Sequence, residues 1–90
     1  MGTIRSGEVR FRIYPQDHEP RHAHGFIGSG QVIVDLRADG TVALASRKDC
    51  VIGATGSEVR KTLNAAADAF DEITAEWEKM HVESQSSYND

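Results

Sequence analysis

Ninety residues suffice for one small domain with a thin core. An apolar fraction of 39% and a charged fraction of 27% exclude a disordered composition, and no apolar run is long enough to span a bilayer. The net charge of −4 is uneven: residues 1–50 hold seven Arg/Lys against six acids, a balance of +1, and residues 51–90 hold three against eight, −5. Overall acidity disfavours non-specific nucleic-acid binding, which rests on phosphate neutralisation, yet a local arginine face in the first half can hold an anion.

Met1 to Gly7 lacks the apolar stretch of a secretory signal. Cys50 is the one cysteine, so no intramolecular disulfide forms, which fits a reducing cytoplasm. A cytoplasmic protein with no membrane association is the expectation. Beside Val51 and Ile52, Cys50 reads as a small hydrophobe rather than a nucleophile.

Glu8 to Tyr14 alternates polar and apolar residues, which predicts a half-buried strand with Val9, Phe11 and Ile13 inward. Pro15 and Pro20 bracket a turn-rich link. His22–Ile27, Gln31–Arg37 and Thr41–Ala45 follow as strands, separated by turn signals at Gly28-Ser29-Gly30 and Asp39-Gly40. At the last turn, a three-residue loop Ala38-Asp39-Gly40 pairs Leu36 with Val42 and Val34 with Leu44. It gathers the larger apolar side chains on one face and puts Gly40 in the left-handed position.

Residues 46–54 read as a connection. Thr55, three residues before Glu58, is the N-cap of a capping box. Val59, Leu63, Ala66, Phe70, Ile73, Trp77 and Met80 then form one apolar helical stripe, opposite a face carrying Lys61, Asp68, Asp71, Glu72 and Glu78. A coiled-coil seam is the weaker reading, because Ala66 and Phe70 are unusual seam residues. The predicted fold is α+β: a four-stranded, mainly antiparallel sheet with one long C-terminal helix packed on one face. Trp77 and Phe70 are expected against Phe11, Val34 and Leu44. Residues 1–81 form the single domain, and the polar residues 82–90 a disordered tail.

Three of the four histidines fall in Asp17-His18-Glu19-Pro20-Arg21-His22-Ala23-His24. His22 and His24 share a face of their strand. A three-residue turn at Gly28-Ser29-Gly30 pairs His24 with Val34 and points both toward the helix, as structural side chains. A two-residue Ser29-Gly30 turn pairs His22 with Arg37 and puts both on the open face, near Arg10, Arg12 and Tyr14. The pattern leaves both registers open, since Phe26 and Ile27 are both apolar.

Two chemistries fit these residues. His22 and His24, with Arg12 and Asp17, can serve as a general acid–base site in which an arginine steadies an oxyanion or phosphate. His22 and His24, with His18 or Asp17 supplying a further ligand, can ligate zinc, since imidazole is the commonest metal ligand. Otherwise no cofactor is expected, and phosphate-binding glycine loops, nucleophile elbows and Cys-x-x-Cys pairs are absent. A purely structural role, with the histidines bonded to backbone and Asp17 capping the turn, is the plainest alternative.

Phe11-Arg12-Ile13-Tyr14 followed by this segment resembles the bacterial domain of unknown function family 4160, with its Asp-His-x-Pro-x-His-x-His signature after the first strand. Ile73-Thr74-Ala75-Glu76-Trp77 resembles the family's Leu-x-x-x-Trp-like helical motif, and the likeness spans roughly residues 8–80. Ala23 and Gly25 stand where the family has bulkier residues. The resemblance implies a small α+β protein encoded beside a small partner protein in a toxin–antitoxin-type pair, and it implies no activity. The functional expectation is therefore a small cytoplasmic protein-interaction module with a small protein partner. The alternatives are a histidine-dependent hydrolase or ribonuclease, and a small metal-binding module.

Overall fold

The computed structural model describes residues 2–89, with side chains described for residues 3–81. The chain is α+β. Strands β1 (Gly2–Ser6), β2 (Val9–Ile13), β3 (His22–Ile27), β4 (Gly30–Leu36) and β5 (Val42–Leu44) lie side by side in sequence order, and the short β6 (Val51–Ile52) also pairs with β4. Every pairing is antiparallel. Helices α1 (Gly56–Asp68) and α2 (Phe70–Asn89) cover one face.

The sheet is wider than the predicted four strands. β1 carries one apolar residue, Ile4, between Thr3 and Arg5, too short a pattern to announce a strand. It forms because Gly7 turns the chain at φ 59° and pairs Ser6 with Val9. β6 arises inside the expected connection. Ile33 marks the exchange of partners on the edge of β4: its N–H donates to the Cys50 carbonyl at 2.8 Å, and its own carbonyl accepts from Ala45 N–H at 3.0 Å. Residues between Ala45 and Cys50 therefore bulge away from the edge and return as β6.

The last hairpin takes the register that its hydrophobic pattern demands. Val34 pairs with Leu44 and Leu36 with Val42, and Gly40 sits at φ 89°. Only a glycine adopts that backbone without penalty.

Thr55 caps α1 as expected, with Oγ1 accepting from Glu58 N–H and the Glu58 carboxylate accepting from Thr55 N–H. The single long helix is corrected to two. Ala69, at ψ 19°, opens the helical path for one residue between α1 and α2. The break lies in an alanine-rich stretch with no glycine or proline, so composition gives no sign of it. Its effect is directional: α1 crosses the sheet, whereas α2 lies over β1 and β2. Ser6 Oγ ties β1 to the Ala65 carbonyl just before the break, at 3.0 Å.

The apolar stripe survives the break. Ala66 and Ile73 are fully buried with Phe11, Val32 and Val34, and Trp77 is buried as expected. Phe70 is only half-buried and Leu44, on the short edge strand, is exposed, which corrects the expected packing of that pair. At Gly25, a Cβ would stand 2.8 Å from Thr62 Cγ2 and 3.0 Å from the Phe11 ring. The missing side chain is what lets α1 lie close on β3. The expected tail, 82–90, falls on residues whose side chains lie outside those described. No helix among the described residues is long and apolar enough to cross a membrane.

Candidate functional site

The β3–β4 turn is Gly28-Ser29, one residue earlier than either register considered from sequence, and it pairs His22 with Asp35 and His24 with Ile33. Gly28, at φ 57°, takes the first turn position, where glycine is favoured in a two-residue hairpin. Ala23, Gly25 and Ile27 then face the helices, while His24 alternates with them onto the open face opposite Arg12. This is the face given by the two-residue reading, because a register slip of two residues preserves it.

The link between β2 and β3 folds back so that Asp17 meets both histidines. Asp17 N–H donates to the Tyr14 carbonyl at 3.0 Å, and Asp17 Oδ2 accepts from Tyr14 N–H at 3.2 Å. This reciprocal pair aims the carboxylate inward. Its Oδ2 lies 3.3 Å from His24 Nε2 and 3.6 Å from His22 Nε2. Among the described residues, these three side chains offer donor atoms that all lie within 4.8 Å of one another.

The far sides of the rings fix their orientation. His22 Nδ1 donates to the Pro20 carbonyl at 2.9 Å, across from the cis Glu19–Pro20 peptide. A carbonyl only accepts, so the hydrogen of a neutral His22 ring is on Nδ1 and its Nε2 presents a lone pair to Asp17. His24 Nδ1 lies 3.2 Å from the Gln31 amide nitrogen. Both Nε2 atoms are buried and neither makes a well-aligned hydrogen bond, their polar neighbour being Asp17 Oδ2, which at 3.3 Å from His24 Nε2 favours a proton there. Two lone pairs, the buried His22 Nε2 and Asp17 Oδ2, thus face each other at 3.6 Å. Something cationic, a proton or a metal ion, resolves that contact.

Burial holds the His24 imidazole below its ordinary protonation range. The Asp17 carboxylate opposes that shift, and electrostatic repulsion from the neighbouring His22 and from Arg47 adds to it. A neutral imidazole is the form that ligates a metal. Aromatic contacts wall the cluster: Tyr14 meets His24 edge-on at 5.0 Å, His22 meets His24 at 5.3 Å, and the Trp77 ring lies 5.5 Å from His22. Trp77 in turn stacks on His81 at 4.0 Å.

Of the residues singled out from sequence, the structure brings together Asp17, His22 and His24. His18 is exposed on the link and stands outside the three-donor group, where Asp17 is the third donor. Arg12 is half-buried with its guanidinium 5.6 Å from the centre of the Tyr14 ring. Cys50 is half-buried. Two supporting residues escaped sequence reasoning. Gln31 depends on the β3–β4 register. His81, 64 residues from Asp17, reaches the Asp17 carbonyl through Nε2 at 2.9 Å, a contact that no local pattern encodes. In comparisons with known proteins, no family model, no curated protein and no solved structure matches the chain.

Proposed function

We propose that the protein is a small metal-binding module whose site is Asp17 Oδ2, His22 Nε2 and His24 Nε2, with zinc as the preferred ion. One observation carries this reading: two buried imidazole nitrogens without partners converge on one carboxylate oxygen. Buried polar atoms in folded proteins are nearly always paired, so two orphans side by side point to an omitted partner. The spacing of each nitrogen from the carboxylate suits zinc. Ligand bonds of about 2.0–2.1 Å in tetrahedral geometry put donor atoms roughly 3.3 Å apart. The His24–Asp17 and His22–Asp17 separations, 3.3 and 3.6 Å, approach that value. The Pro20 carbonyl on His22 Nδ1 is the outer-sphere contact that orients a ligating imidazole.

Nitrogen and carboxylate donors suit zinc and also iron(II), and three protein ligands leave a position for water or substrate. The hydrolase or ribonuclease reading uses the same atoms. It is the weaker of the two for the metal-free site, because a general base needs contact with its substrate and both Nε2 atoms are sealed from solvent. The protein-interaction role in a toxin–antitoxin-type pair rests on the resemblance of residues 17–24 to the signature of that family. The two proposals are compatible, since a metal site can hold an interaction module together.

The test is zinc titration in competition with a chromophoric chelator. The wild-type protein should take up one zinc per chain, and His22→Ala and His24→Ala should each abolish uptake, while His18→Ala retains it. Equal zinc uptake by all four proteins would refute the assignment.

A further inference from the structure

The sheet face away from the helices carries a second feature, on β1 and β2 beside the metal site. Arg5 and Arg10 are cross-strand partners in the β1–β2 pairing, and Arg12, two residues along, shares their face. Like charges directly opposite in an antiparallel pair are destabilising. Arg5 and Arg10 are exposed and have no ion-pair partner among the described residues. The charges of Arg5 and Arg10 are therefore unspent among the described residues.

Aromatic side chains interleave with these arginines. Phe26 pairs with Arg10 across β2–β3 and is half-buried, and the Tyr14 ring lies beneath the Arg12 guanidinium. The carboxylates near these arginines include Asp17, committed to the histidines, while Asp35, with Glu19 and Asp39 around the same cavity, lies on β4, two strands from β2. The acids that make the chain negative, among them Asp68, Asp71, Glu72 and Glu78, lie on the helices behind the sheet. A Debye length of about 8 Å at physiological ionic strength is shorter than a helix layer of about 10 Å. The net charge of −4 therefore does not cancel the field of this face.

We propose that the helix-free face of the sheet binds single-stranded nucleic acid, with Arg5 and Arg10 holding phosphates and Phe26 receiving a base. Arginine and aromatic side chains side by side suit a chain that alternates phosphate with flat bases. An acidic peptide offers the charge without the bases, and a duplex hides its bases from Phe26.

The experiment is fluorescence anisotropy of a labelled, mixed-sequence RNA of about 12 nucleotides, a length matched to single-strand site sizes. Affinity is measured between about 50 and 200 mM salt for the wild type, Arg5→Thr/Arg10→Thr and Arg5→Lys/Arg10→Lys. Threonine preserves the strand, and its double variant should melt no lower than wild type because a like-charge pair is removed. The wild type should bind with salt-dependent affinity. The threonine variant should lose about tenfold in affinity, and its log–log salt slope should shrink by about 1.4, roughly 0.7 for each phosphate contact removed. The lysine variant should keep the slope. RNA left unbound at the lower salt, a threonine variant with wild-type affinity and slope, or a duplex bound as tightly as the single strand overturns the proposal. Polyglutamate binding without RNA binding overturns it in favour of an acidic peptide.

Discussion

His81 on α2 holds the loop that carries the Asp17 carboxylate: its Nε2 donates to the Asp17 carbonyl at 2.9 Å. Its Nδ1 lies 2.6 Å from the Trp77 carbonyl, one turn back on the same helix. The C-terminal helix thus acts on the site through backbone, without supplying a ligand. His81→Ala should weaken zinc binding by about tenfold, the usual scale for an outer-sphere partner. One zinc per chain should still bind at saturation. Chelator competition reads both quantities, and an affinity equal to wild type would separate α2 from the site.

The metal-free protein should lose stability in acid through His24. Its folded protonation range lies below the ordinary value of 6.5 because of burial. Between those two values the unfolded chain holds a proton that the folded chain does not. Unfolding therefore becomes more favourable as pH falls through this window. The contribution of His24 is complete above about pH 6.5 and is lost as pH falls toward the folded value. Thermal melts in chelator should show this loss, and His24→Gln should flatten it. A His24→Gln protein with the same acid dependence would assign the effect to other groups.

In the core, Ile73 and Phe70 should separate. Ile73 is fully buried between the helices and the sheet, and Ile73→Ala should cost about 2–5 kcal/mol. Phe70 is half-buried, so Phe70→Ala should cost less than the roughly 3–5 kcal/mol of a fully buried phenylalanine. Urea denaturation of both variants tests the order. A larger loss at Phe70 would contradict the packing described.

Gly25→Ala should destabilise by about 1–3 kcal/mol, the scale of overpacking, since its Cβ would press on Thr62 Cγ2 at 2.8 Å. Thr62→Ser removes that methyl and keeps the hydroxyl that donates to the Glu58 carbonyl. The double variant should recover part of the loss, the Phe11 contact remaining. Additive losses would mean that the two side chains do not meet.

Much of the fold is legible wherever one residue dominates a local choice. Gly40 settles the last hairpin, Thr55 and Glu58 settle the start of α1, and the apolar stripe identifies the covering face down to Trp77. Legibility ends where competing choices are nearly equal. Gly28-Ser29-Gly30 offers several turns, and the apolar Phe26-Ile27 pair gives no preference between faces. Ala69 leaves helical geometry although its sequence favours continuing the helix, and the second helix then lies over β1 and β2. In the site, the motif shows His22 and His24, but choosing Asp17 over its neighbour His18 requires the fold of the link. That fold depends on Tyr14 and on the distant His81.

The central claim concerns what lies between two buried nitrogens and a carboxylate. Diffraction from zinc-soaked crystals, with data collected on both sides of the zinc edge, tests it most directly. The account predicts an anomalous peak about 2.0–2.2 Å from His22 Nε2, His24 Nε2 and Asp17 Oδ2, with His22 Nδ1 still bonded to the Pro20 carbonyl. Zinc bound only at exposed side chains such as His18, with Asp17, His22 and His24 linked solely by hydrogen bonds, would contradict it.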